Sequence, residues 1–570
     1  MSVNRKKVII EKLNEIHKTI LEEYREQIPA TYENKTLVKH GEFQCTEQIE
    51  ITSDVFSPNM SMTEFIQKDQ RVLKEANYYI CITSGGNNRP DQLVIDALRE
   101  KVFQLLLEKQ IKGYYFAGTL KNAEKFTEIT LHNIKNNSRI DILHTYDNKK
   151  HRNSNMATHI FIHIDTHKQN TLWLPKPFLL LAGISGTGKT RFVREQAKQT
   201  GSLEDTYCLV SVRPDWHEPS DLLGYTSRLS GKAEYIVTDV LQFMVKAWKE
   251  IFASGLSFDG ATLRGTKEQL ASIRPFWLCL DEMNLAPVEQ YFADYLSILE
   301  TRSWKWNDKA FSYSCDALLK PTAFIEFFDE ERFALQNNLG VHDSEELWNH
   351  FKKYGIAIPF NLIVVGTVNM DETTHGFSRK VIDRALSFDF GTFFPNHFDE
   401  YFEPKSQPKT LSYPYWSDAK ENRSFFPKAD SAGEKCIQFL TAVNSVLQDS
   451  PFQLAYRALN ELLLSIIAYQ PQDNLTLQAI WDDFLMQKVL PRIEGDLDKL
   501  AKKGSEDNIL KLLQGILAVQ LAQIWEGETR PDLYREAISG EIIKVRCRSQ
   551  QKIEWMIDRL ELSGFTNFWP

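Results

Sequence analysis

The sequence predicts an α/β protein whose central part is a mostly parallel sheet with crossover helices. Continuous apolar runs recur as FLLLAG, TYCLVSV, PFWLCLD and NLIVVGTV, the pattern of strands buried on both faces. Helical stretches separate these runs, and strands alternating with helices require crossovers that set neighbours parallel. The first run also passes directly into a Gly-rich turn and then a helical pattern, RFVREQAKQ.

Taken in order, residues 1 to 170 are expected to form a mixed α/β N-terminal domain. They open with an amphipathic helix, and NYYICIT, GYYFAGTL, FTEITLHNI, RIDILHTY and THIFIHID mix strand-like with helical texture around the helix expected in DQLVIDALREKVFQLLLEK. The polar stretch DTHKQNTLWLPKP reads as a linker. Residues 171–425 carry the apolar strand runs. From about Asp430 the pattern turns helical: CIQFLTAVNSVLQ, YRALNELLLSIIAY, LQAIWDDFLMQKVL and ILKLLQGILAVQLAQIW place apolar residues at i, i+3 and i+4. A helical lid is assigned to 426–505 and a C-terminal helical extension to 506–570.

A length of 570 residues is too great for one ordinary core, and 42% hydrophobic with 25% charged residues is the makeup of a folded chain. The net charge of −9 excludes a globally basic nucleic-acid binder. Residues 1–170 hold 24 Lys/Arg against 22 Asp/Glu, so the acidity belongs to the remainder. The seven cysteines form no CxxC pair, which argues against a disulfide framework or a zinc knuckle. No apolar run approaches the ~20 residues that span a bilayer. The expectation is a cytoplasmic protein without a membrane partner.

The strongest motif is GISGTGKT, which fits GxxxxGK[ST]: Gly183, Ile184, Ser185, Gly186, Thr187, Gly188, Lys189 and Thr190. Glycines let successive N–H groups turn inward around phosphate oxygens, and the helix start adds its positive dipole end. Lys189 is placed to reach the β- and γ-phosphates and Thr190 to ligate Mg²⁺. In PFWLCLDEMN a strand delivers Asp281 to the Mg²⁺ shell and Glu282 to orient or deprotonate a water. In NLIVVGTVNMDETTHGFSRKVIDRA a buried strand ends at Asn369, whose amide can bridge phosphate and water. Asp371, Arg379 and Arg384 follow. An arginine near such a site stabilises charge on the transferred phosphoryl group, often from a neighbouring subunit; for Arg379 a surface ion pair is an equal reading.

These segments, with VRPDWHEPSDLLGY, LCLDEMNLAPVEQYFADYLSILE, FQLAYRALNELL and FLMQKVLPRIEGDLDKL, resemble the AAA+ NTPase subunit of McrBC-type restriction systems from about Pro175 to Leu500. The resemblance implies an αβα sandwich with a helical lid, a ring oligomer expected to be a hexamer, and a nucleotide at each subunit interface. Lys189 and Thr190 match Walker A, Asp281 and Glu282 Walker B, and Asn369 sensor 1. Arg384 matches an arginine acting across the interface, and Arg457 in AYRALNE a sensor-2 arginine contacting nucleotide. The family's MNxxD spacing is replaced by VNMDETT, with Asp371 two positions after Asn369. Both GTP and ATP therefore stand as the nucleotide, and the phosphate loop does not decide between them.

Other features are weaker. Trp216 and His217 are pore or interface candidates, with local packing favoured for Trp216. His159, Phe161, His163 and Asp165 share one strand face, more the mark of a surface row than of a metal site. Glu128, Asp141, Asp147 and Lys149 lack the E-x-K element of a nuclease. Lys149, Lys150, His151 and Arg152, with Tyr114, Tyr115, Phe116 and Tyr146, are a nucleic-acid candidate that also reads as a solvated loop. The function expected is an NTP-hydrolysing motor of a restriction or anti-phage complex, translocating DNA for a separate McrC-like nuclease. A MoxR-like protein-remodelling ATPase and a nucleotide-gated sensor or scaffold for a defence effector are the alternatives.

Overall fold

A computed structural model describes residues 171–570 except Ser230, Asp308, 326–328, 371–376, Glu526, Glu528, 539–540 and Pro570, together with the backbone of strand segments between Pro29 and Asp165. The chain divides into two compact units, Met1–Asn170 and Thr171–Pro570.

In the first unit a five-stranded sheet runs in the order Gln44–Cys45, Tyr79–Thr83, Gly113–Thr119, Ala157–Asp165, Arg139–Asp147. Tyr79–Thr83 pairs parallel with Gly113–Thr119, and the other pairings are antiparallel. His159 and His163 lie on a strand flanked on both sides, in register with Ala117 and Tyr146 and with Gly113 and Asp141 respectively. The helices expected at the N-terminus and in DQLVIDALREKVFQLLLEK, the segment FTEITLHNI with Glu128, and the basic run Lys149 to Arg152 lie outside the described residues.

The second unit is mixed α/β around a parallel sheet. Its labelled elements are β1 (Phe178–Gly183), α1 (Lys189–Thr200), β2 (Tyr207–Ser211), α2 (Asp239–Ala253), β3 (Phe276–Asp281), β4 (Leu362–Asn369) and β5 (Leu386–Asp389). The strand order is β2-β3-β4-β1-β5, all parallel. Every residue of β1 is buried, and the period-2 alternation divides them between two cores. Leu179 and Leu181 join Phe192, Val193 and Ala197 of α1 on one face. Phe178, Leu180 and Ala182 join Tyr295, Leu296 and Leu299, from the helix Ala293–Leu299, on the other. Helices thus cover both faces, which the continuous apolar runs demand. β5 escaped the sequence reading because LSFD is too short for a distinct apolar run, yet all four residues are buried.

A four-stranded antiparallel sheet, Ser257–Asp259, Thr262–Thr266, Ala310–Ser314 and Ser303–Asn307 in spatial order, is formed by segments on either side of β3. The presumed linker is not simply a spacer. Leu172–Trp173 pairs with Leu411–Ser412, Leu174 is fully buried, and the Trp173 ring meets Tyr413 and Tyr415 edge-on at 5.4 and 4.5 Å. Its three apolar residues outweigh the polar residues before them.

Beyond the sheet lie α3 (Glu434–Leu447), α4 (Tyr456–Tyr469), α5 (Asn474–Phe484), α6 (Ile509–Gln520) and α7 (Arg548–Ser563). α5 continues into a π-helical turn, Leu485–Val489, that buries Lys488. The Lys488 ammonium donates to the carbonyls of Ile382, Asp383 and Ala385 and pairs with Glu461 of α4 at 2.9 Å, fastening these helices to the end of the sheet. Burial opposes the charge of Glu461, but Lys176 and Lys488 outweigh it and hold its carboxyl below the usual range. The segment 506–570 also contains short strands, Thr529–Pro531, Arg535–Ala537, Lys544–Arg546 and Phe565–Thr566. At two or three residues each, they carry no readable alternation, so only the helical part showed in the sequence. Among the described residues no helix is long and apolar enough to cross a membrane.

Candidate functional site

β1, between β4 and β5, ends at Gly183, where the chain turns through the Gly-rich loop into α1. Gly186 and Gly188 hold φ of 78° and 91°, a left-handed conformation that a side chain resists. Gly188 is the N-cap of α1, makes no side-chain cap bond, and the first turn carries no acidic residue. The positive end of the α1 dipole thus has no acidic side chain within its own first turn. Lys189 is 5% exposed, and its ammonium donates to the carbonyls of Gly183 at 3.1 Å and Ile184 at 2.8 Å.

Three adjacent strands bring the acid and amide groups to this loop. Asn369 is in register with Gly183 across β4 and β1, and β4 itself pairs with β3. Thr190 donates its hydroxyl to Asp281 Oδ1 at 2.7 Å, so the two oxygens assigned to a cation sit side by side before any ligand is considered. A hydroxyl and a carboxylate are the hard oxygen donors that Mg²⁺ takes alongside phosphate and water, so this pair fits the ion. Asn369 Nδ2 donates to Glu282 Oε1 at 3.2 Å. Glu282 sits at φ 53° and ψ 49°, left-handed for a residue with a Cβ, and such strain is maintained where the surroundings over-determine it.

Those surroundings include Thr367, which the sequence reading passed over. Its hydroxyl donates to Asp281 Oδ1 at 2.6 Å and accepts the Glu282 N–H at 3.0 Å, locking both acids to β4. The available signal was its place two residues before Asn369, on the same face of the strand. One residue earlier, a Cβ on Gly366 would lie 2.3 Å from Met283 Sδ, so glycine lets the turn after β3 close against β4.

The sequence-predicted residues thus fall into groups. Lys189, Thr190, Asp281, Glu282 and Asn369 converge beside the loop. Arg384 and Arg457 instead share Glu300: Arg384 Nε lies 3.6 Å and Arg457 Nη2 3.3 Å from its carboxylate oxygens. Arg379 donates to the Pro451 carbonyl at 2.7 Å and lies over the Phe452 ring, holding the segment before α4. Trp216 packs on Tyr291 with ring centroids 5.2 Å apart, whereas His217 is exposed. Asp371 lies outside the described residues.

A cavity of about 380 Å³ opens beside the loop, lined by Gly183, Ile184 and Thr187 together with Asp389 at the end of β5, Gly391 and Thr392 just after it, and Arg548, Gln551, Lys552 and Trp555 of α7. The α7 residues had no signal in the sequence, since nothing in a local helical pattern reveals which distant loop its face meets.

A family model described as a domain of unknown function (DUF8727) matches residues 411–565, a span that includes α3 to α7. No curated protein matches the chain.

Proposed function

We propose that the protein is a Mg²⁺-dependent NTP hydrolase of the AAA+ class, taking GTP or ATP, and that it serves as the McrB-like motor subunit of a restriction or anti-phage complex. The observation that carries the hydrolase reading is the convergence of Thr190, Asp281, Thr367, Glu282 and Asn369 at the carboxyl ends of three adjacent strands, next to a Gly-rich loop. In an open α/β sheet this edge is where ligands bind. The interior position of β1, between β5 and the central strand β4 that separates it from β3, supports the αβα arrangement expected for the class.

In this reading the loop amides and Lys189 take the phosphates. Mg²⁺, held at Thr190 and Asp281, would neutralise charge on the β- and γ-phosphate oxygens. Glu282 accepts a proton from the attacking water as its oxygen bonds to the γ-phosphorus and the bond to the bridging β-oxygen breaks. Asn369 orients the Glu282 carboxylate for that transfer. Arg384, on Glu300 within one chain, is proposed to reach the phosphates of a neighbouring subunit in a ring, and Arg457, on the same Glu300, to serve as the sensor-2 arginine that contacts nucleotide. DNA translocation and an McrC-like nuclease partner follow from the resemblance, with the N-terminal unit as the reader of modified or phage DNA.

Purified protein with Mg²⁺ is expected to hydrolyse GTP or ATP, and DNA to accelerate turnover. Absence of hydrolysis with both nucleotides overturns the enzyme; stimulation by a protein client alone replaces the restriction reading with a remodelling one.

Thr367→Val tests the link between the two acids. The methyl replaces the hydroxyl at nearly constant volume but leaves the Glu282 N–H and one Asp281 lone pair without their partner, so a loss of about 1–3 kcal/mol in urea unfolding is expected, and kcat is to be read where the variant remains folded. Loss of the hydrogen bond that orients Asp281, worth about 1.5–3 kcal/mol, is also expected to lower kcat about ten- to a hundredfold. An unchanged kcat would assign Thr367 to packing alone.

A further inference from the structure

The loop cavity has a wall that phosphate chemistry does not explain. Arg548, Gln551, Lys552 and Trp555 are spaced at i, i+3, i+4 and i+7, so one stripe of α7 faces Gly183, Ile184 and Thr187 across about 380 Å³, a volume within the range of small-molecule sites. The cations on this stripe are already neutralised. Lys552 pairs with Asp389 at 2.6 Å, and Arg548 pairs with Asp483 and Asp532 at 2.8 and 2.9 Å while stacking on Phe393. The stripe is therefore poorly suited to binding further phosphate.

Two groups remain for a ligand. The Gln551 side chain is exposed and hydrogen-bonds to no other described residue, and a carboxamide offers a donor and an acceptor together. The Trp555 indole is 37% exposed, with Lys552 and Arg559 packed at 4.8 and 5.1 Å from its centroid, which fixes the ring as a wall. An aromatic wall beside a paired donor and acceptor matches the face and the edge of a nucleobase.

We propose that α7 forms the nucleobase subsite of the phosphate-loop site, with the base of the bound nucleoside triphosphate against Trp555 and its polar edge at Gln551. The inference rests on the nucleotide reading above. It assigns a role to a helix beyond the stretch that resembles the AAA+ subunit and within the match to the domain of unknown function.

The test compares Mg²⁺-GTP, Mg²⁺-ATP and inorganic triphosphate, measured by calorimetry on the full chain and on Trp555→Ala, Trp555→Phe, Gln551→Ala and Lys189→Ala. Trp555→Ala is expected to weaken the preferred nucleotide about ten- to a hundredfold, with recovery in Trp555→Phe, while inorganic triphosphate binds the parent and Trp555→Ala alike. Gln551→Ala is expected to shrink the ratio of GTP to ATP affinities towards one, and Lys189→Ala to lose all three probes. Nucleotide affinity unchanged in both α7 alanine variants, or parallel loss of inorganic triphosphate, overturns the subsite and leaves the nucleotide reading standing. A parent chain that binds none of the probes overturns both.

Discussion

Glu282→Gln is expected to reduce NTP turnover by about two to four orders of magnitude while nucleotide affinity stays within about twofold. Glutamine preserves the shape of the side chain, and its amide oxygen still accepts from Asn369 Nδ2, so the geometry at the left-handed turn is retained. What is lost is the carboxylate that the proposed mechanism uses to take the proton from water. The groups proposed to contact phosphate, the loop between β1 and α1 with Lys189 and Thr190, are untouched. Single-turnover hydrolysis alongside equilibrium nucleotide binding separates the two effects. Turnover within about threefold of the parent would remove Glu282 from the mechanism, because a positioned general base is worth far more than that.

The largest stability effect is expected far from the loop. Arg530 is fully buried and donates to Asp482 at 2.7 Å and to both carboxylate oxygens of Asp483. Burial works against the charge of Asp482, but Arg530 and the N–H groups of Arg548 and Ser549 outweigh it, and its carboxyl is held below the ordinary range. The same two N–H groups begin α7, so Asp482 caps the helix that walls the loop cavity. Arg530→Met leaves two buried carboxylates short of their guanidinium and is expected to cost about 3–5 kcal/mol in urea unfolding. Arg264→Ala, at the exposed pair with Asp259, is expected to cost less than about 1 kcal/mol and serves as the comparison. A loss as small at Arg530 would show that Asp482 and Asp483 are satisfied by Arg548 and the helix amides alone. Because the cluster positions α7, Arg530→Met is also expected to weaken nucleotide binding under conditions where the protein remains folded.

Much of the candidate site was legible because its residues are consecutive. GISGTGKT, Asp281–Glu282 and the end of NLIVVGTVN each place a functional group at the tip of a buried strand, where period and motif coincide. The boundary between the two units does fall within DTHKQNTLWLPKP, but the linker was drawn too long, because the polar residues of DTHKQN masked the three apolar residues after them, which dock on the strand Leu411–Ser412. β5 and the short strands after Trp525 were missed because two to four residues cannot establish a period. Thr367 was overlooked because a threonine in an apolar strand has no motif of its own.

The sequence by itself determined the α/β character, four of the five parallel strands, the Gly-rich loop between β1 and α1 and the placement of Asp281 and Glu282 at the end of β3, since each depends on local pattern or on residues adjacent in the chain. Only the tertiary structure decided that Thr367 ties the two acids together, that Arg384 and Arg457 meet on Glu300, and that α7 lines the loop cavity. Those contacts join segments that are distant along the chain, and they are fixed by strand order and by the buried charges around Arg530 and Lys488. No local periodicity encodes which helix face a given loop will meet.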